Sequence, residues 1–197
     1  MPGIALEKTA ERLTVYATRW LKEALRAGAY AVDATVGNGY DTLFLAHEVG
    51  PQGHVLGFDV QKVALTNATE MLRFTGLLNR VTLVLASHEE LRRYLPPGQQ
   101  ITAAMFNLGY LPRGDRRIIT RPASTLKALS TATAHLEPRG RITILSYRGH
   151  GGGEEEYVAL STALAGEPAI HVTEVAGVTA AEDSPRLFLI QRRSSGG

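Results

Sequence analysis

Glycines and carboxylates lie close together in one short segment, residues 33–42, which reads DATVGNGYDT. The segment follows an apolar run, and a helix is predicted to begin near Asp41. Gly37 and Gly39 allow the backbone to approach a ligand without Cβ clashes. In an open α/β sheet, that ligand lies outside the carboxyl ends of the strands. The segment therefore predicts a nucleotide-binding loop, either for a dinucleotide such as NAD or for S-adenosylmethionine (SAM).

The acidic residues of this loop favour SAM. The dinucleotide fingerprint G-x-G-x-x-G needs a third glycine, but that position is Thr42. Asp41 would also repel a pyrophosphate at the helix N-terminus. SAM carries a positive sulfonium and a positive amino group, and Asp33 precedes Gly37 by the four residues typical of SAM loops. The alternative is that Asp33 and Asp41 only cap the loop and the helix.

Further polar residues follow the next strands. Asp59 ends the second predicted strand, where a carboxylate can accept hydrogen bonds from both ribose hydroxyls of SAM or of NAD. Ser87 and His88 follow the third strand and are expected near the adenine, although Ser87 is also an ordinary N-cap with Glu90 at the capping-box spacing. The predicted cofactor-binding residues are Asp33, Thr35, Gly37, Asn38, Gly39, Asp41, Thr42, Asp59, Val60, Gln61, Ser87, His88 and Asn107.

Short β-branched segments that alternate with helical patterns must position these residues. The strand candidates are residues 29–35, 54–60, 80–87, 101–107, 141–147, 169–177 and 186–192. The helix candidates begin near Leu6, Asp41, Gln61, Glu89, Pro122 and Glu154. Such alternation predicts a mostly parallel sheet. Eight residues join the last two strands, too few for a crossover helix, so the last strand is expected to be antiparallel. The pattern predicts an α/β, Rossmann-like class I methyltransferase fold with seven strands and helices on both faces.

The length and composition of the chain exclude several classes of protein. The 197 residues suit one domain, with residues 192–197 as a disordered tail. The chain has no cysteine, which excludes disulfides and thiolate metal sites, and no metal site is predicted. No stretch is apolar enough to span a membrane, and the N-terminus lacks the apolar core of a signal peptide. We therefore expect a cytoplasmic protein. The net charge of +2 does not by itself indicate nucleic-acid binding.

The fourth predicted strand ends in Asn107-Leu108-Gly109-Tyr110, which resembles the D/N-P-P-Y motif of amino-group methyltransferases. An Asn carbonyl and a following backbone carbonyl can accept N–H bonds from an amine and orient its lone pair. An aromatic ring can pack on a base taken out of its stack. In isolation the motif could also be a strand-ending turn. Its position opposite the SAM loop predicts that Asn107 and Tyr110 orient an amine substrate.

Four segments together resemble the rRNA methylase family: DATVGNGYDTLFLA, GFDVQ, AAMFNLGYLPRGD and ITRPASTLKAL. The resemblance covers about residues 6 to 192. It implies SAM-dependent methylation of a tRNA wobble uridine, from 5-aminomethyl-2-thiouridine to the 5-methylaminomethyl form. It also implies a tRNA partner bound through the anticodon arm, and a homodimer. Asp115 and His150 are the candidates by motif for accepting the amine proton, with solvent as the alternative.

The chain departs from the family pattern after its fifth predicted strand. The family commonly has Tyr-His-Gly-His-Pro-Gly-Gly, then a Lys and two acids. Here Arg148, Gly151 and Glu154 replace the first His, the Pro and the Lys, whereas Tyr147 and His150 are kept.

A run of arginines follows the fourth strand and predicts phosphate contacts along the RNA. The predicted RNA-binding residues are Arg113, Arg116, Arg117, Arg121, Tyr147 and Arg148. A solvated approach to the next helix is the alternative for the arginines. Three other functions stay open: methylation of another RNA or of a small-molecule amine, an NAD-dependent oxidoreductase, and a non-catalytic RNA-binding module.

Overall fold

The computed structural model describes residues 4–109, 111, 119–149, 151–181 and 183–193. Within them, strands and helices alternate along the chain. The strands are β1 (Ala5–Thr9), β2 (Tyr30–Asp33), β3 (His54–Asp59), β4 (Val81–Leu85), β5 (Ile101–Leu108), β6 (Leu136–Ser146), β7 (Ile170–Gly177) and β8 (Arg186–Arg192). The helices are α1 (Leu13–Lys22), α2 (Tyr40–Glu48), α3 (Lys62–Phe74), α4 (Leu91–Tyr94), α5 (Pro122–Ala134) and α6 (Gly153–Ala165).

The strands form one sheet in the order β1-β7-β8-β6-β5-β2-β3-β4. Strand β8 runs antiparallel to both of its neighbours, β6 and β7, and the other pairs are parallel. This confirms the predicted class I methyltransferase fold and its antiparallel last strand. The order changes direction between β2 and β5, so a crevice opens at the carboxyl ends of these two strands.

Helices cover both faces of the sheet. On one face, Leu21 of α1, Leu45 of α2 and Leu72 of α3 pack in a shared core cluster. On the other face, α5 and α6 pack against strand residues that include Phe58 and Phe106. The three residues that end β2 are buried, because a central parallel strand is covered on both sides. Among the described helices, none has the length and apolar character needed to cross a membrane.

The N-terminal prediction needs two corrections. The sheet has an eighth strand, β1, at its edge, and the first helix begins at Leu13 instead of near Leu6. Leu6 pairs with Glu174 of β7. The sequence of β1, ALEKT, is short and largely exposed, so it carries no core-strand pattern. The edge pairing with β7 decides its conformation.

Two other boundaries differ from the predictions. A short 3₁₀ turn (His88–Glu90) and the four-residue helix α4 occupy the place of the helix expected near Glu89. Two prolines that follow closely end this segment. At the C-terminus, Arg192 belongs to β8, and the Arg193 N–H donates to the carbonyl of Ala169 at 3.0 Å. The first two residues of the predicted tail are therefore ordered, and residues 194–197 lie outside the described part.

Candidate active site

A cleft of about 900 Å³ opens at the carboxyl ends of the central strands. Its walls come from the segments after β2, β3, β4, β5 and β6 and from the loop between β7 and β8. The predicted site residues that line it are Thr35, Gly37, Asn38, Asp41, Asp59, Val60, Gln61, Ser87, His88, Asn107, Tyr147 and Arg148. The sequence patterns thus converge on one concave site.

The two glycines of the first loop have different roles. Gly37 lines the cleft with a φ of +52°, which favours glycine. Gly39 does not line the cleft; it precedes α2 with a φ of +83°. A Cβ at Gly39 would lie 2.9 Å from both the Cα and the Cβ of Ala68 in α3. Gly39 is therefore required for the close packing of α2 against α3.

Asp33 lies behind the wall of the cleft and is fully buried. Its Oδ1 accepts the backbone N–H of Thr35 at 3.1 Å, and its Oδ2 accepts the hydroxyl of Thr42 at 2.6 Å. Thr42 is also buried and outside the lining. The hydroxyl oxygen of Thr35 in turn accepts the backbone N–H of Asn107 at 2.7 Å. Asp33 therefore holds the loop after β2 in place, and Thr35 of that loop contacts the end of β5 at Asn107.

Two neighbouring carboxylates have raised pKa values. Burial, with a smaller contribution from the charge of Asp41, raises the pKa of Asp33 to about 7. Burial raises the pKa of Asp41 to about 6, although the Asn107 amide donates a hydrogen bond to its Oδ2 and favours the charged form. Burial therefore disfavours the ionised form of both carboxyls in the absence of a ligand. A positively charged ligand in the cleft offsets the cost of ionising them, and this acidic surrounding fits the sulfonium and amino groups of SAM.

Asp59 braces the same loop. Its Oδ2 accepts the N–H of Gly37 at 2.9 Å, and its Oδ1 accepts the N–H of Gln61 at 2.8 Å. A carboxylate has about four acceptor positions. The two backbone bonds therefore leave Asp59 able to accept hydrogen bonds from ribose hydroxyls, as its position at the end of β3 predicts.

Ser87 and His88 both line the cleft, and Ser87 also caps the 3₁₀ turn that follows it. Ser87 precedes the 3₁₀ turn, and its Oγ accepts the N–H of Glu89 at 3.3 Å, in place of the predicted partner Glu90. His88 is buried, and its Nδ1–H donates to the carbonyl of Ala34 at 3.0 Å. Burial lowers the pKa of His88, so its ring is neutral at pH 7. Their contact with adenine stays a prediction.

One buried acid near the cleft was missed by the sequence interpretation. Glu156 of α6 is 1% exposed and accepts hydroxyl hydrogen bonds from Thr120 at 2.6 Å and from Thr125 at 2.7 Å. The available signal was helical spacing, since Glu156 shares the buried face of α6 with Leu160 and Leu164. An acid at that position must find hydrogen-bond donors inside the protein.

Comparison with known proteins assigns the family. Residues 55–191 match the family model described as "Putative rRNA methylase". The chain belongs to this family. It is 35% identical over 155 residues to the Arabidopsis thaliana chloroplastic tRNA (mnm(5)s(2)U34)-methyltransferase, a match that covers 75% of this chain and 57% of the relative. The chain therefore spans just over half the length of that relative.

Solved structures of methyltransferases are also similar. An rRNA methylase from Clostridium thermocellum is 37% identical, with a TM-score of 0.89, over 94% of this chain and all of that one. A methyltransferase from Streptococcus mutans, solved in complex with S-adenosylhomocysteine (SAH), is 32% identical, with a TM-score of 0.83, over the same shares. The chain is a SAM-dependent methyltransferase, and SAM is its cofactor.

Two departures from the rRNA methylase family pattern form one ion pair. The Arg148 Nε donates to Glu154 Oε2 at 2.6 Å, and its second terminal nitrogen donates to Oε1 at 2.7 Å. The guanidinium also lies over the ring of Tyr157, 4.2 Å from its centroid. The positive charge introduced at Arg148 is therefore paired with the negative charge introduced at Glu154. Contact of Arg148 with RNA stays a prediction, and the guanidinium already has these partners within the protein.

The remaining predicted residues divide into two groups. Arg121 is exposed immediately before α5, and Tyr147 is 40% exposed in the wall of the cleft. The others lie outside the described residues: Tyr110, Arg113, Asp115, Arg116, Arg117 and His150. In the described part, no group of three or more candidate ligands could hold a metal ion. The cleft is also lined by residues that the sequence did not single out, among them Thr14, Tyr40, Leu111, Ile119, Asp183 and Pro185.

Proposed function

We propose that this domain methylates the primary amine of a modified wobble uridine in tRNA, converting 5-aminomethyl-2-thiouridine to 5-methylaminomethyl-2-thiouridine. The name of the Arabidopsis thaliana relative supports this substrate. The structural observation that carries the proposal is the orientation of Asn107. Its Nδ2 donates to Asp41, and this contact fixes which way round the amide lies. The amide oxygen Oδ1 is thereby left as an acceptor for a substrate N–H.

The residues in and beside the cleft support an amine as the nucleophile. SAM supplies an electrophilic methyl group on a positively charged sulfur. One N–C bond forms as one S–C bond breaks, and the amine loses one proton. Asn107 Oδ1 orients the lone pair by accepting an amine hydrogen, while Asp33 and Asp41 provide negative charge beside the cleft. Acceptance of the proton by Asp115, by His150 or by solvent is a prediction from the family motif.

The family description supplies a second candidate substrate, because it names ribosomal RNA. The same amine-orienting geometry could serve an exocyclic amino group of an rRNA base. The two candidates differ in the chemistry of the nucleophile, an alkylamine in the tRNA and an aryl amine in the rRNA. Parallel assays on both RNAs therefore separate them.

The test uses the purified chain, SAM and three substrates: tRNA with 5-aminomethyl-2-thiouridine, the same tRNA with unmodified uridine, and ribosomal RNA. Mass spectrometry of the digested nucleosides should show one added CH₂ on the aminomethyl nucleoside alone. Asn107→Ala should lower kcat on this tRNA by roughly 100-fold, the effect of losing one orienting contact at the reacting centre. Unchanged turnover in Asn107→Ala would remove the assignment of Asn107. Methylation of rRNA alone would replace the tRNA proposal.

A further inference from the structure

The backbone that carries Asn107 is held from two sides. On one side, the Asn107 N–H donates to Thr35 at 2.7 Å. On the other side, the Gly109 N–H donates to Thr120 Oγ1 at 3.0 Å, and the Thr120 N–H donates to the Gly109 carbonyl at 3.1 Å. The chain thus leaves β5 at Gly109 and is tied back to it at Thr120, eleven residues later.

Glu156 fixes the direction of these bonds. The Thr120 hydroxyl has a single hydrogen, which it donates to Glu156 Oε2 at 2.6 Å. The lone pairs of Thr120 Oγ1 are then left to accept the N–H of Gly109. Glu156 is buried, so water does not compete for this bond.

The resulting chain of contacts reaches the cleft. Asn107, Gly109 and Thr120 all line the cleft, whereas Glu156 lies behind it. We propose that Thr120, held by Glu156, is a positioning residue that fixes the backbone of residues 107–109, and with it the Asn107 acceptor, for attack by the substrate amine. This role rests on the proposed amine methylation. We call the contacts of Gly109, Thr120 and Glu156 the Thr120 clasp.

Thr125 offers a matched control. Its hydroxyl donates to the other oxygen of Glu156 at 2.7 Å, but Thr125 does not line the cleft, and its side chain has no other hydrogen bond to the described residues. Thr120→Val and Thr125→Val each remove one hydroxyl from the same buried carboxylate. Only Thr120→Val also removes the acceptor of the Gly109 N–H. Thr120→Ser keeps the hydroxyl and serves as the conservative variant.

The experiment measures kcat and KM on the aminomethyl tRNA, the Kd for SAH, and hydrogen exchange of the Gly109 amide. Thr120→Val should lower kcat roughly tenfold to 100-fold, the range expected when a reacting group is displaced by a fraction of an ångström to an ångström. Its Kd for SAH should stay close to that of the unchanged chain, and exchange at Gly109 should accelerate. Thr125→Val should change neither kcat nor the hydrogen exchange of the Gly109 amide. Thr120→Ser, which keeps the hydroxyl, should have the kcat and the Gly109 exchange rate of the unchanged chain.

Equal losses of kcat in the two valine variants would overturn the clasp, because the effect would then come from Glu156 burial alone. Unchanged exchange at Gly109 in Thr120→Val would overturn it as well. If the unchanged chain does not methylate the tRNA, the proposed function fails. The exchange comparison, which needs no substrate, then decides whether Thr120 holds Gly109.

Discussion

Replacing Asp33 by Asn should stabilise the ligand-free protein at pH 8 and weaken its binding of SAM. Asp33 is fully buried, and burial and the charge of Asp41 raise its pKa from 3.8 to about 7. A carboxyl whose pKa is raised by folding stabilises the folded state while it is protonated. That contribution is present below about pH 4 and is lost as the pH rises through about 7.

The size of the effect follows from that pKa. At about 1.36 kcal/mol for each pH unit, the interval from 3.8 to about 7 corresponds to about 4 kcal/mol of unfolding free energy lost by pH 8. Asn removes the charge and can still accept the Thr35 N–H while it donates to Thr42. The expected gain at pH 8 is therefore about 4 kcal/mol, or roughly 8–16 °C in Tm for a chain of this size.

The assay compares thermal unfolding at pH 5 and at pH 8 without ligand. Asp33→Asn should exceed the unchanged chain in Tm by a clearly larger margin at pH 8 than at pH 5, because at pH 5 only the part of the loss between pH 3.8 and pH 5 has occurred. Glu70→Gln, which removes an exposed acid on α3, is the control and should show no such difference between the two pH values. A loss of stability in Asp33→Asn of equal size at both pH values would refute the electrostatic reasoning.

Three further predictions concern the loop, the cofactor and the RNA. Gly39→Ala should lower the unfolding free energy by about 3 kcal/mol, because a Cβ there meets Ala68 at 2.9 Å and φ is positive. Gly37→Ala, with only ordinary contacts near its Cβ, should lose about 1 kcal/mol; equal losses in denaturant titrations would contradict the packing role. SAM or SAH at 100 times its Kd should add about 2.7 kcal/mol and raise Tm by roughly 5–10 °C, whereas a shift with NADH alone would contradict the cofactor assignment. Arg121→Ala should weaken tRNA binding and reduce the slope of its salt dependence by about 1, with the Kd for SAH unchanged; an unchanged slope would place Arg121 outside the RNA interface.

Sequence patterns predicted most of the fold because the relevant physics is local. The apolar runs of β2 to β5 and the helices after them specify a parallel sheet, and the eight residues between β7 and β8 are too few for a crossover. The sequence patterns did not predict the edge strand β1, because its residues are exposed and its conformation depends on pairing with β7, more than 160 residues away.

For the candidate site as well, local sequence patterns predicted one part and the tertiary structure decided the other. The sequence alone determined which residue types meet at the carboxyl ends of the strands, since strand endings and glycine positions can be recognised from local spacing. Only the tertiary structure decided that Asp33 lies behind the wall, that the amide of Asn107 bonds to Asp41, and that Glu156 holds Thr120. The last two contacts join residues 66 and 36 positions apart. No local pattern encodes such pairs, because they form only when separate elements pack together and buried polar groups must find partners.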